Sequence, residues 1–148
     1  MSLSTVRAGV KSVLESVTGA GTIHDYERYS KEWATYKDLF KSGDHINFLE
    51  ILRPSFERDI QGSDSTERVN HNFLLKGAYS LSDDNASEKT FQDLVEAYCQ
   101  AFRNIPTLNS TAEVVHYPVT GRITTGMFGG VLCHICEIEV SIGERIVF

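Results

Sequence analysis

Cysteine is scarce in this chain, with three in 148 residues and no framework spacing. An odd, unpatterned set excludes a disulfide-stapled secreted scaffold and points to a reducing compartment, a cytoplasm. Proline is as rare, also three, and two of them mark boundaries: Pro54 the end or an edge position of a strand, Pro106 the stop of a helix. Positive charge is in deficit, 14 Lys and Arg against 20 Asp and Glu, for a net charge of -6. That balance leaves no broad cationic field for a nucleic-acid backbone. No segment approaches the roughly 20 apolar residues of a membrane span, and Met1-Ser2-Leu3-Ser4 lacks the basic start and apolar run of a signal peptide. Chemical signatures are missing too. There is no GxSxG, HExxH, P-loop or GxGxxG, and Gly126-x-x-Gly129-Gly130 lacks the lysine and following helix of a phosphate loop. The expectation is a protein without catalytic residues or cofactor.

What is present is enough apolar material, 41% of 148 residues, for one domain spanning 1–148 with a real core. Its organising stretch is Arg68 to Ile105. Val69, His71, Phe73, Leu75, Gly77, Tyr79 and Leu81 alternate with polar residues, the period-two signature of a half-buried strand. Ser82-Asp83-Asp84-Asn85 is turn chemistry, and Asn85 with Glu88 three residues on reads as a capping box. Phe91, Leu94, Val95, Tyr98, Phe102 and Ile105 then make one helical stripe. A strand and a helix with one apolar face each bury those faces together.

The remaining elements follow from the same signals. Ser4 caps a first helix carrying Val6, Val10, Val13, Leu14 and Val17, and residues 22–26 form a brief strand. Ser30 starts a second helical piece with Trp33, Tyr36 and Phe40, closed by Gly43. The near-continuous apolar run of His45 to Arg53 predicts a strand buried on both faces or bulged, antiparallel to 68–81 across a polar 56–67 loop. Ala112 to Tyr117 is a strand, 119–130 a glycine-bearing loop with its hairpin tip from Gly121, and Val131 to Ile142 a central last strand whose inner face includes Leu132. The fold class is α+β: a single antiparallel, or mixed, sheet with helices packed on one face, in two layers.

Few residues are arranged for chemistry. Cys133 and Cys136 resemble a metal clip, but an odd separation on a strand sends them to opposite faces, so no metal site is predicted. His71 lies on the apolar parity, where a hydrogen-bonded core or interface histidine is expected. Glu137 and Glu139 share a face and read as a solvated one. The densest aromatic patch, Tyr26-Glu27-Arg28-Tyr29 with Trp33, Tyr36 and Phe40, is a satellite core under the first helix, or an interface anchored by Arg28 and Trp33. Arg58, Arg68 and Arg122, with carboxylates such as Glu57, Asp59 and Asp64, are the candidates for pairing between subunits. Phe128 joins them on the 119–130 loop.

The string Ile23-His24-Asp25-Tyr26-Glu27-Arg28-Tyr29, then Trp33, Leu39-Phe40 and Ile46-Asn47-Phe48-Leu49-Glu50-Ile51, together with the element order, resembles small proteins of prophage tail-gene clusters. These resemble in turn the tail-terminator proteins of long-tailed phages. The resemblance implies a ring-forming subunit, a hexamer, that caps the tail tube and meets the head-completion or neck protein. It places the chain in the bacterial host cytoplasm and, for an active phage, in the virion tail. The Ser30–Lys41 insertion departs from the family pattern. The residues alone also fit a small intracellular ligand-binding or adaptor domain.

Overall fold

A computed structural model describes residues 2–28, 40–42, 45–60, 66–128 and 130–147. The elements are α1 (Leu3–Glu15), β1 (Thr22–His24), β2 (Lys41–Ser42), β3 (His45–Ile60), β4 (Thr66–Ser80), a short 3-10 turn at Asp83–Asn85, α2 (Ser87–Asn104), β5 (Val114–Phe128) and β6 (Val131–Val147). The main sheet runs β1-β3-β4-β6-β5. Its four long strands are mutually antiparallel, while β1 adds to β3 in parallel and makes the sheet mixed. The α+β architecture with helices on one face is therefore the observed one.

The organising stretch folds as its pattern requires. Along β4, Val69, His71, Phe73, Leu75 and Gly77 are buried while Asn70, Asn72, Leu74 and Lys76 are not. Phe73, Leu75, Leu94, Val95, Tyr98 and Phe102 lie in one apolar cluster with Tyr79 at its margin. Each fully buried side chain of this kind contributes about 1.5–3 kcal/mol by leaving water. The same cluster takes Val6, Val10, Val13 and Leu14 of α1, so both helices share one core over one sheet face.

A second, smaller cluster lies on the opposite face. Phe40, Ile46, Phe48, Ala78 and Cys133 are buried there, with Phe128, Val131 and Ile135 against them. Burial on both faces explains the apolar runs at the start of β3 and β6. It also relocates Phe40, which packs 4.5 Å from Phe48 and 5.1 Å from Phe128 between ring centroids, away from α1 rather than under it. The rest of the 30–39 helical prediction, Trp33 and Tyr36 included, and the Gly43 stop lie outside the described residues. Lys41, expected at that helix's end, is in β2.

Several local expectations are corrected. Ser2, not Ser4, caps α1: its hydroxyl accepts the Thr5 N–H while the Thr5 hydroxyl accepts the Ser2 N–H. Ser4 lies inside the first turn. Helix α2 lacks the Asn85–Glu88 box; its cap is Ala86 in left-handed conformation, and Asn85 instead donates to the Ser82 hydroxyl. Leu132, expected inside, is exposed. The largest difference concerns the two loops. Of the two readings of Pro54 the edge position holds, with the expected bulge: β3 steps through a register shift between Leu52 and Ser55 and continues to Ile60, so on this strand only the 56–67 loop is corrected. A bulge frees one residue from the ladder, which is where a residue without an N–H can sit. β5 likewise shifts between His116 and Thr120, around a cis Tyr117-Pro118 bond, and runs on to Phe128. Most of the 56–67 and 119–130 segments is therefore strand.

Candidate functional site

Past Arg53 the side chains of β3 become exposed, although its neighbours stay buried on the inner face at Val69, His71 and Glu144. Residues 54–60 are exposed without interruption, and with the start of β4 and the end of β6 they form a three-stranded arm. Local polarity hides this from a burial-based reading: Glu57-Arg58-Asp59 looks like a loop, yet Glu57 pairs with Asn70, Arg58 with Val69 and Asp59 with Arg68 in unbroken register. The arm exposes Phe56, Ile60 and Val147, the last at 69%.

Its root is fastened by a buried polar chain. Arg53 Nη1 donates to His71 Nδ1 at 3.2 Å. An arginine cannot accept, so His71 keeps its proton on Nε2 and presents it to Glu144 Oε2 at 3.4 Å. His71 is 3% and Glu144 2% exposed. Burial pushes the His71 imidazolium below its ordinary pKa, more than the hydrogen bond and charge of Glu144 raise it. The guanidinium of Arg53 also stacks over Phe56 at 4.3 Å, which extends the fastening outward into the arm. His71 is thus the hydrogen-bonded core histidine expected. Glu144 was missed, although a signal existed: it continues the inner parity of Ile138, Val140 and Ile142, where an acid demands a partner.

Beyond the Phe48 cluster the outer sheet face carries charged and polar residues. Glu50, Lys76, Glu137 and Arg122 lie side by side across β3, β4, β6 and β5. Arg122 binds Glu137 at 3.0 Å, which places Glu137 on the solvated face expected for it. Glu50 is buried, and its carboxyl is raised by burial while the Arg28 N–H at 3.0 Å works the other way. A next row joins Ser55, Asn72 and Ser141 by hydrogen bonds of 2.9 and 3.1 Å. Between the two bulges, Pro54 and Pro118 flank a groove of about 460 Å³ over this row.

A second cavity of about 480 Å³ opens at the start of α2, lined by Ser87, Glu88, Lys89, Gln92 and His134 among others. Ser87 Oγ lies 2.8 Å from His134 Nε2 and accepts the Ser82 N–H at 2.8 Å. Ser87 is 4% exposed. With its hydroxyl held from two sides, this pair ties the helix start to β6.

The predicted interface residues are distributed as follows. Arg58 pairs with Glu67, Arg68 with Glu113 at 2.9 Å, and Arg122 with Glu137, so each cation already holds a carboxylate within the subunit. Asp59 stands on the exposed arm. Arg28 lies 5.1 Å from the Tyr26 ring and serves Glu50 through its backbone. Phe128 is half-buried in the outer-face cluster instead of standing on a loop. Trp33 and Asp64 lie outside the described residues. Cys133 and Cys136 fall into different clusters on opposite faces, and among the described residues no three His, Cys, Asp or Glu side chains gather as a metal set. No helix among them is long and apolar enough to cross a membrane. No protein-family model matches the chain.

Proposed function

We propose that this protein is a structural, ring-forming subunit, the tail terminator of a long-tailed phage or prophage. In this role it caps the tail tube, meets the head-completion or neck protein, is made in the host cytoplasm and needs no catalytic residue. The observation that supports the reading most is the arm, with seven consecutive exposed strand residues at 54–60 and large apolar side chains at Phe56, Ile60 and Val147. A monomer gains nothing by extending a strand into solvent, whereas a subunit that must reach a neighbour does. The sequence resemblance supplies the hexameric ring and the tail partners. Mixing the protein with its own tail-tube protein tests this: added protein limits tube length and appears at a tube end in electron micrographs. Tubes of unchanged length with bare ends refute it.

The Ser87–His134 cavity favours a second reading, a small ligand-binding or adaptor domain. That reading predicts a monomer or dimer by mass at all concentrations and a ligand that protects His134.

A further inference from the structure

The two edges of the sheet are complementary to each other, and we propose that they join between copies: β3 of one subunit pairs with β5 of the next, continuing the sheet around the assembly. Among the described residues, β3 past Ile51 has β4 as its only strand neighbour, and β5 has only β6. Apart from Asp59 and Phe128, which hold further interactions, both edges therefore present backbone donors and acceptors with no strand opposite them, a template for another strand. Proline guards stand at the bulges, while charged ones remain along the edges at Glu57, Arg58 and Arg122, so a partner edge has to match them. Pro54 and Pro118 interrupt the edges near mid-strand, and this leaves two clear frames, Ser55–Ile60 and Thr120–Phe128.

Direction is set by topology. From β3 through β4 and β6 to β5 each strand is antiparallel to its neighbour, so β3 and β5 run in opposite senses. Copies related by rotation about a ring axis then bring β5 beside β3 antiparallel, the more stable ladder. Such a contact is head-to-tail and closes into a ring when the rotation allows.

Charge selects this pairing over a two-fold one. Cross-strand register puts Ser55, Glu57 and Asp59 on the outer face of β3, and Thr120, Arg122 and Thr124 on the outer face of β5. A two-fold β3–β3 contact keeps each face on its own side, so it sets the acids Glu57 and Asp59 against themselves. Glu57 opposite Arg122 avoids that and defines a register: Ser55 then faces Thr124 and Asp59 faces Thr120. Exposed ion pairs add little affinity, but they choose partner and register.

The inference stands on the ring reading for its closure but not for its pairing. The test uses Ser55→Cys and Thr124→Cys, singly and together, under mild oxidation at concentrations up to the solubility limit. The double variant is expected to give a ladder of covalent oligomers ending at one size, and a mixture of the two single variants only dimers. Wild type, whose Cys133 and Cys136 are buried and Cys99 half-buried, gives none. Dimers from either single variant alone would overturn the proposal in favour of a two-fold interface, and absence of any ladder would overturn it outright. A ladder from protein that fails to cap tubes would leave the edge pairing standing and remove the tail role. Capping without a ladder would do the reverse.

Discussion

Glycine 77 is the position where the packing makes its sharpest quantitative demand. It sits in β4, the strand at the centre of the sheet, between Leu49 of β3 and Cys136 of β6. A Cβ there would lie 2.7 Å from Leu49 Cδ1, 2.7 Å from the Phe48 carbonyl oxygen and 3.1 Å from Cys136 Sγ. The leucine methyl can rotate away; the carbonyl belongs to the neighbouring strand and cannot move without shifting the ladder. Overpacking of this kind costs about 1–3 kcal/mol. Gly121 in β5 provides the matched control, because its nearest atoms, Glu137 O and an Ile138 carbon, are both 4.0 Å away. Alanine at either site removes the same conformational freedom from the unfolded chain, which alone stabilises by about 0.4–1 kcal/mol. Gly121→Ala should therefore be neutral to stabilising, and Gly77→Ala should lie about 1–3 kcal/mol below it, because the unfolded-state contribution is common to both and cancels. Urea unfolding measures both: a lower midpoint for Gly77→Ala at unchanged slope is the signature of lost native stability. In a thermal scan the penalty corresponds to a fall of roughly 2–10 °C. If the two variants agree within about 0.5 kcal/mol, the central sheet is looser than these distances require and the argument fails.

Three further outcomes are expected. Because the folded-state pKa of His71 is lowered, the native protein binds fewer protons than the unfolded chain just below pH 6.5. Stability contributed there is full above that pH and drops as pH falls through it, by at most about 1.4 kcal/mol per pH unit; His71→Gln should flatten that slope in urea midpoints taken between pH 5 and 8. Among the described residues the Tyr98 hydroxyl is buried with no partner in full hydrogen-bond geometry; burial pushes its pKa up to about 12, outweighing the Gly21 backbone, which is close enough only to pull it down. Tyr98→Phe should then cost less than about 0.5 kcal/mol or stabilise, and a loss above 2 kcal/mol would point to a bond the structure lacks. Since Cys133 and Cys136 face different clusters, a chelator should leave the melting temperature unchanged; one zinc per chain by elemental analysis would contradict that geometry.

Periodicity alone was sufficient for the centre of this molecule. The alternation from Val69 to Tyr79 and the stripe from Phe91 to Phe102 each leave one way to hide apolar surface, so strand, helix and contact face were legible without neighbours. Opposite placement of Cys133 and Cys136 followed from the same period-two geometry. What periodicity reports is burial, and it falls silent where an element is exposed. Ser55 to Ile60 and Thr120 to Phe128 read as loops because their polar and glycine residues have no inner face to mark. They are strands because β4 and β6 supply hydrogen-bond ladders across hairpins, with Ile60 opposite Glu67 and Phe128 opposite Val131. Neighbours that periodicity does not report decided the smaller points. Ala86 replaces Asn85 as the cap where the 3-10 turn sets the entry of α2. Phe40 goes to the outer face because Phe48 and Phe128 meet there, and Glu144 is tolerated inside because His71 reaches it from β4, itself held by Arg53 from β3. Local sequence thus determined which segments must be covered, and only the tertiary structure decided which strands extend past their cover, since that is settled by backbone pairing, which leaves no mark in the polarity of the side chains.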